Sequence, residues 1–234
     1  MTDTVPLISV DIWSDVMCPW CAIGYSQFAK AVAELNGEIE VETRWMPFEL
    51  NPDMPEAGKP QAQHLAEVYG RSAEELADMR ANLEEAARRA GFSMDYTGEG
   101  TAPEPMMWNT FAAHRLLRWA LAEYGPAAQT GLKLALFRAH FQARRNVSDH
   151  AVLLDLVESE GMDREAAQAA LRDDALATAV RMEEQRSASA GIRSVPAFVF
   201  NDRYLVPGAQ TPEIFGDTIR KIVAATEADQ ASPG

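Results

Sequence analysis

Cys18 and Cys21 are the only cysteines in the chain, and they stand as Cys18-Pro19-Trp20-Cys21. Two thiols at this spacing can hold half a metal site, form a static cross-link, or exchange a disulfide with another molecule. A zinc site needs two further ligands, and His64, His114, His140 and His150 show no H-x-x-x-H spacing that would supply them. A static disulfide across two residues closes too short a loop to constrain the unfolded chain much. Exchange asks for one thiolate that attacks and a second thiol that resolves the mixed disulfide. Both requirements are met if the motif opens a helix. Unpaired N–H groups and the dipole at a helix N-terminus stabilise an anion, and cysteines in such settings have pKa values of about 3.5 to 7.5 against about 8.5 for a free thiol. Cys18 is then the nucleophile and Cys21, one helical turn on, the resolving thiol.

The flanking sequence supplies such a helix start. Residues 7–13 are β-rich and partly alternating between Pro6 and Ser14-Asp15, which predicts a strand running into the motif. Phe28, Ala31, Val32 and Leu35 then recur at helical spacing before Asn36-Gly37, so a helix runs from Pro19 or Trp20 to about Leu35, with Pro19 suited to its first turn. Residues 39–45 alternate apolar and polar and complete β-α-β, and 51–60 form a loop rich in Pro, Gly and Asn. From about 62 to 189 there is almost no β-rich run. Helical patterns there break at Gly91, 98–105, Gly125-Pro126, 146–149 and Gly161, and two starts carry capping chemistry, Ser72 with Glu75 and Ser148-Asp149. Residues 195–200 and 204–206 read as a β-hairpin, Pro212 opens a last helix to about Ala225, and a tail over 227–234 is expected to fray. The order implies one α/β sheet domain interrupted by an all-helical one.

Composition narrows the partners. The 234 residues are 47% hydrophobic and 24% charged, proportions of a chain that builds its own core without staples. A net charge of −14 repels phosphate backbones, and the pairs Arg88-Arg89 and Arg144-Arg145 are too small to reverse that field, so no nucleic-acid partner is expected. The apolar runs at 134–137 and 197–200 are far shorter than a membrane helix needs. Residues 1–10 have neither the basic region nor the apolar stretch of a secretory signal, so a cytoplasmic protein is expected.

Four stretches carry a family resemblance. Cys18-Pro19-Trp20-Cys21 after a strand, and Gly191-Ile192-Arg193-Ser194-Val195-Pro196-Ala197-Phe198 opening a late strand, resemble the DsbA-like branch of the thioredoxin superfamily. The motif, with Asn-Pro-Asp-Met-Pro at 51–55, Asn-Thr-x-x-Ala-His-Arg-Leu at 109–116 and Gly-Ala-Gln-x-Pro at 208–212, is more closely similar to the FrnE-like oxidoreductases, over nearly the whole chain. The resemblance implies a thioredoxin-like fold with a large all-helical insertion domain: 1–60 and 191–234 form the thioredoxin-like domain, and 61–190 the insertion. It also implies a cis Val195-Pro196 bond beside the cysteines, with Val195, Pro196, Trp20 and Pro19 binding substrate and Val195 offering its backbone to an extended chain. No cofactor and no metal are implied beyond the redox-active pair, with glutathione as a co-substrate. The partners are thiol or disulfide substrates, protein or small molecule.

Several neighbours of the motif stay open. Asp15 would disfavour a Cys18 thiolate if close, and Asp11 would accept a proton from Cys21 if the strand turned it under the site. Trp108, Phe111, Leu116 and Trp119 read as core at near-helical spacing, His114 as a structural histidine, and Met17, Met106 and Met107 as core filling. Two functions fit the motif. One is a protein thiol-disulfide oxidoreductase, with the pair reduced at rest in a cytoplasmic setting; the other is a glutathione-dependent enzyme of the kappa-transferase or hydroxychromene-carboxylate isomerase kind. Retention of both cysteines favours the first, because a transferase needs no resolving thiol.

Overall fold

The computed structural model describes residues 5–231. β1 (Leu7–Ser14), α1 (Pro19–Glu34) and β2 (Glu40–Pro47) form the first β-α-β unit. There follow β3 (Lys59–Pro60), α2 (Gln61–Tyr69), α3 (Ala73–Ala90), β4 (Met106–Met107), α4 (Phe111–Tyr124), α5 (Pro126–Phe137), a π-helical turn (Arg138–Gln142), α6 (His150–Ser159), α7 (Arg164–Ala170) and α8 (Asp174–Ser189). β5 (Ala197–Phe200), β6 (Tyr204–Pro207) and α9 (Pro212–Ala231) return to the sheet. The sheet has the order β2-β1-β5-β6, with β1 parallel to β2 and antiparallel to β5, and β5 antiparallel to β6. It is an α/β fold with a helical insertion, as the sequence predicts.

Alternation in β1 divides the sheet into two faces. Ile8, Val10 and Ile12 are buried against Phe28, Ala31 and Leu35 of α1 and Phe215, Ile219 and Ile222 of α9. The Phe28 ring lies 5.3 Å from that of Phe198 and 5.5 Å from that of Phe215, so one aromatic cluster ties α1, β5 and α9 together. Full burial of each large side chain contributes about 1.5–3 kcal/mol. On the opposite face Trp13 packs with Ile192, Ala197, Met46 and Phe48.

A second core unites Leu116, Leu117 and Ala120 of α4 with Leu132 and Leu136 of α5, Leu153 and Val157 of α6, and Met17, Met54 and Met107. α5 lies between the two cores, since its Phe137 belongs to the sheet cluster. Its buried Gln129 accepts from the Trp45 N–H at 2.8 Å and donates to the Trp45 carbonyl at 2.8 Å. A side-chain amide thus satisfies the outer backbone groups of β2, an edge strand, and docks α5 there.

Three local expectations are corrected. Met106 and Met107 form a short antiparallel ladder with Pro60 and Lys59, within a stretch expected to be strand-free. Two-residue strands carry no periodicity by which a sequence could announce them. α5 passes into a π-helical turn that apolar spacing does not distinguish from α-helix. The last helix continues to Ala231 where fraying was expected from 227; residues 232–234, like 1–4 of the segment searched for a signal, lie outside the described residues.

Candidate active site

β1 ends at Ser14, and the chain turns through Asp15, Val16 and Met17 before Cys18 takes up the N-cap position of α1, with φ −87° and ψ 111° and Pro19 following in the first turn. Proline suits that position because it removes an N–H that has no helical partner there. The Cys18 and Cys21 thiols are both free, and both are buried: Cys18 is 4% exposed and Cys21 not at all. The Cys18 thiol donates to the Val195 carbonyl at 3.7 Å. The Val195-Pro196 peptide is cis, and the Pro196 carbonyl accepts from Gly208 N–H at 2.8 Å. Gly24 of α1 makes room for this loop, since a Cβ there would lie 3.0 Å from Pro196 Cγ. The structure therefore brings Cys18, Cys21, Val195 and Pro196 together. Pro19 is half-buried, and Trp20 lies at the surface, 46% exposed.

A buried polar cluster surrounds the pair. Asp15, 1% exposed, accepts from Met17 N–H at 3.2 Å and Leu50 N–H at 2.7 Å. His114 Nε2 stands 3.7 Å from Asp15 Oδ1. Burial alone would raise the Asp15 carboxyl, but His114, the Leu50 N–H and Lys133 outweigh it and hold the group below its ordinary value. Lys133 of α5 is completely buried. Its Nζ reaches the Ser14 carbonyl at 3.4 Å and lies 5.2 Å and 5.0 Å from the ring centres of Trp45 and Phe137. Burial lowers its pKa to about 8.

The cysteines titrate as one unit. The Cys18 thiol is held well above its ordinary value by its hydrogen bond with Cys21, by burial and by the negative charges of Cys21 and Asp15. For Cys21, burial raises the pKa, but the Cys18 thiol, Lys133 and Ser14 lower it further than burial raises it. Of the two thiols, Cys21 is therefore the one that gives up its proton more readily, and Cys18 the one that keeps it. The simple expectation of a Cys18 thiolate at the helix start is modified: the hydrogen bond between the two thiols raises Cys18 and lowers Cys21, and Lys133 adds to the lowering of Cys21.

Asp11 takes no part. It sits on the β1 face opposite α1, with Oδ1 2.6 Å from Arg44 Nε, so the strand parity left open by the sequence places Asp15, not Asp11, beside the sulfurs. His114, expected to be structural, stands at the site. Leu116, Trp119, Met17 and Met107 lie in the helical core with Trp108 packed on it, and Phe111 carries the Arg181 guanidinium 3.7 Å from its ring centre. Sequence reasoning missed Lys133 and His140. A signal was present: Gln129, Leu132, Lys133, Leu136, Phe137 and His140 follow one helical stripe, which puts a lysine and a histidine on the buried face.

Among the described residues no group of His, Cys, Asp and Glu is arranged to hold a metal, and no helix is long and apolar enough to cross a membrane. Comparison with known proteins agrees with the fold. The chain is 25% identical over 222 residues to the uncharacterized protein YwbO of Bacillus subtilis, covering 91% of this chain and 96% of the relative. It is similar to the crystal structure of a probable DsbA oxidoreductase from Streptomyces coelicolor, at 33% identity and a TM-score of 0.78, over 92% of this chain and 89% of that one. It shares its fold with the cytosolic disulfide reductase DsbM of Pseudomonas aeruginosa, solved with GSH, at 19% identity and a TM-score of 0.58, over 94% of this chain and 99% of that one. Residues 9–220 match the DSBA-like thioredoxin domain, and with a sheet, a thiol pair at a helix start and a helical insertion all in that arrangement, the chain belongs to this family.

Proposed function

We propose that the chain is a thiol-disulfide oxidoreductase in which Cys18 is the nucleophile and Cys21 the resolving thiol. The observation that carries this reading is the buried pair of free thiols at the start of α1, with the Cys18 thiol 3.7 Å from the Val195 carbonyl at the cis Val195-Pro196 peptide. Starting from one proton on the pair, Cys18 passes it to Cys21 and its thiolate attacks a substrate disulfide, RS–SR. The Cys18–S–S–R bond forms and RS⁻ leaves. RS⁻ takes the proton from Cys21, and the Cys21 thiolate attacks the Cys18 sulfur, forming the Cys18–Cys21 bond and releasing the second RS⁻. The substrate gains two electrons and the pair loses two; run backwards, the same steps oxidise a dithiol.

In this reading Val195 and Pro196 border the sulfur that substrate meets, with half-buried Pro19 and exposed Trp20 at the lip, and where the substrate is a peptide its extended chain pairs with the Val195 backbone. The thioredoxin-like part, bounded near 60 and 191, holds the sulfurs, and the inserted helices supply Lys133 and His114. The cytosolic DsbM fold relative and its bound GSH support a reducing compartment, with glutathione as co-substrate.

The test is an equilibrium titration of the pair against a glutathione redox series, followed by tryptophan fluorescence. A reversible two-electron transition is expected, and its position relative to a cytosolic poise of about −220 to −320 mV separates an oxidant from a reductant. Cys18→Ala should abolish exchange and Cys21→Ala should trap mixed disulfides. A stable glutathione adduct with no second step would instead support a transferase-like enzyme.

A further inference from the structure

Beside the motif, between α3 and the π-helical turn, opens a small, shallow cleft with about 40 Å³ of space accessible to a water-sized group. Pro19 forms one edge, and Leu83, Met94 and Phe141 line it with apolar surface. Its charges are unequal: Arg80, Arg144 and Glu84 all border it, and Arg80 Nε is already paired with Glu84 Oε1 at 2.7 Å. Arg144 forms no ion pair or hydrogen bond among the described residues, and its Nε is buried without a partner. Burial and the neighbouring Arg80 both work against its charge, and Glu84, the acid that supports it, is already paired with Arg80. Its backbone is equally unusual. Arg144 has φ 53°, the left-handed region that glycine or asparagine ordinarily fills just after a helix end. An unpaired guanidinium in a chain of net charge −14, held in a disfavoured conformation at the rim of the thiol motif, marks a place for an anionic group.

We propose that this cleft is a subsite for the carboxylate of a small disulfide or thiol substrate, held by Arg144 while the substrate sulfur meets Cys18. The inference rests on the thiol-disulfide reading above and adds the substrate class. The small size follows from Cys18 itself, which at 4% exposure admits a narrow disulfide more readily than one set in a bulky protein surface.

Oxidation of the reduced chain, followed by tryptophan fluorescence at low ionic strength, separates these points. The oxidants are 3,3′-dithiodipropionate, which carries two carboxylates, and uncharged bis(2-hydroxyethyl) disulfide. Arg144→Gln should lower the ratio of the anionic to the neutral rate constant about tenfold, the loss of roughly one charge-assisted hydrogen bond. Arg144→Lys should restore part of the ratio. Arg220→Gln changes net charge equally but lies on α9, paired with Glu38, and should leave the ratio as it was. An unchanged ratio in Arg144→Gln, or an equal fall in Arg220→Gln, would overturn the subsite. An Arg144 effect confined to an acidic peptide disulfide would overturn the small-molecule assignment. Failure of both disulfides to oxidise the unsubstituted chain would instead remove the thiol-disulfide reading itself.

Discussion

At the scale of single residues, the chemistry of the pair depends on a lysine. A buried ammonium is costly unless a charge or dipole compensates it, and Lys133 has the Ser14 carbonyl, two aromatic faces, and the nearby Asp15 and thiolate charges. The same attraction acts in reverse on the sulfurs, where Lys133 is among the causes that lower Cys21. Lys133→Met should therefore raise the pH midpoint for alkylation of the pair by iodoacetamide, leaving the dithiol less reactive at neutral pH. A midpoint that stays put, or falls, would show that the sulfurs do not feel this charge. The sequence displays the cysteines openly because their spacing is local. It displays Lys133 only through a helical stripe shared with Leu132 and Leu136, and nothing in that stripe says which buried group the lysine meets 112 or more positions away in the fold of β1 and α1.

At the scale of elements, the loop after β2 must close against the inserted helices before Leu50 can present its N–H to Asp15. Gly58 is where that closure is tightest. It has φ +69°, and a Cβ there would lie 2.4 Å from Trp108 Cε3 and 2.7 Å from the Met107 carbonyl. A left-handed non-glycine residue costs about 1–2 kcal/mol and overpacking about 1–3 more, so Gly58→Ala should destabilise the chain by roughly 2–5 kcal/mol. The urea midpoint checks this, and a change within about 0.5 kcal/mol would mean that the loop and Trp108 move apart freely. Elements with strong periodicity or chemical end signals were legible: α1 by its apolar spacing, α3 by the Ser72 and Glu75 capping box, and the hairpin of β5 and β6 by two β-rich runs joined by Asn201-Asp202-Arg203. The β3 and β4 ladder was not, because its partners lie 46 to 48 positions apart and each strand has two residues. Distance along the chain likewise hides the cleft at Pro19, lined from α1, α2, α3 and the neighbourhood of the π-helical turn.

At the scale of the whole molecule, two buried titrating groups set opposing pH slopes. His140 has both ring nitrogens buried without hydrogen-bond partners, and burial, with Arg144 nearby, lowers its pKa to about 4. Between about pH 6.5 and 4 the unfolded chain binds a proton at this histidine that the folded chain does not, so stability falls as pH falls, by about 3 kcal/mol across the window. Glu49, paired with Arg181 beside Glu184, is raised to about 7 chiefly by burial. Between pH 4.5 and 7 it is the folded chain that holds the extra proton, so its contribution is present at low pH and lost as pH rises through 7. The two slopes oppose each other from 4.5 to 6.5, and the unsubstituted chain should show a shallower dependence there than either group alone would impose. Urea unfolding across that range resolves them by difference, because every other carboxylate is common to all the proteins compared. His140→Leu should gain stability relative to the parent as pH falls from 6.5 to 4, whereas Glu49→Gln should gain relative to the parent as pH rises from 4.5 to 7. Parallel pH profiles for parent and both variants would mean that neither group is desolvated in the folded chain, and that the helices around the thiol pair admit water.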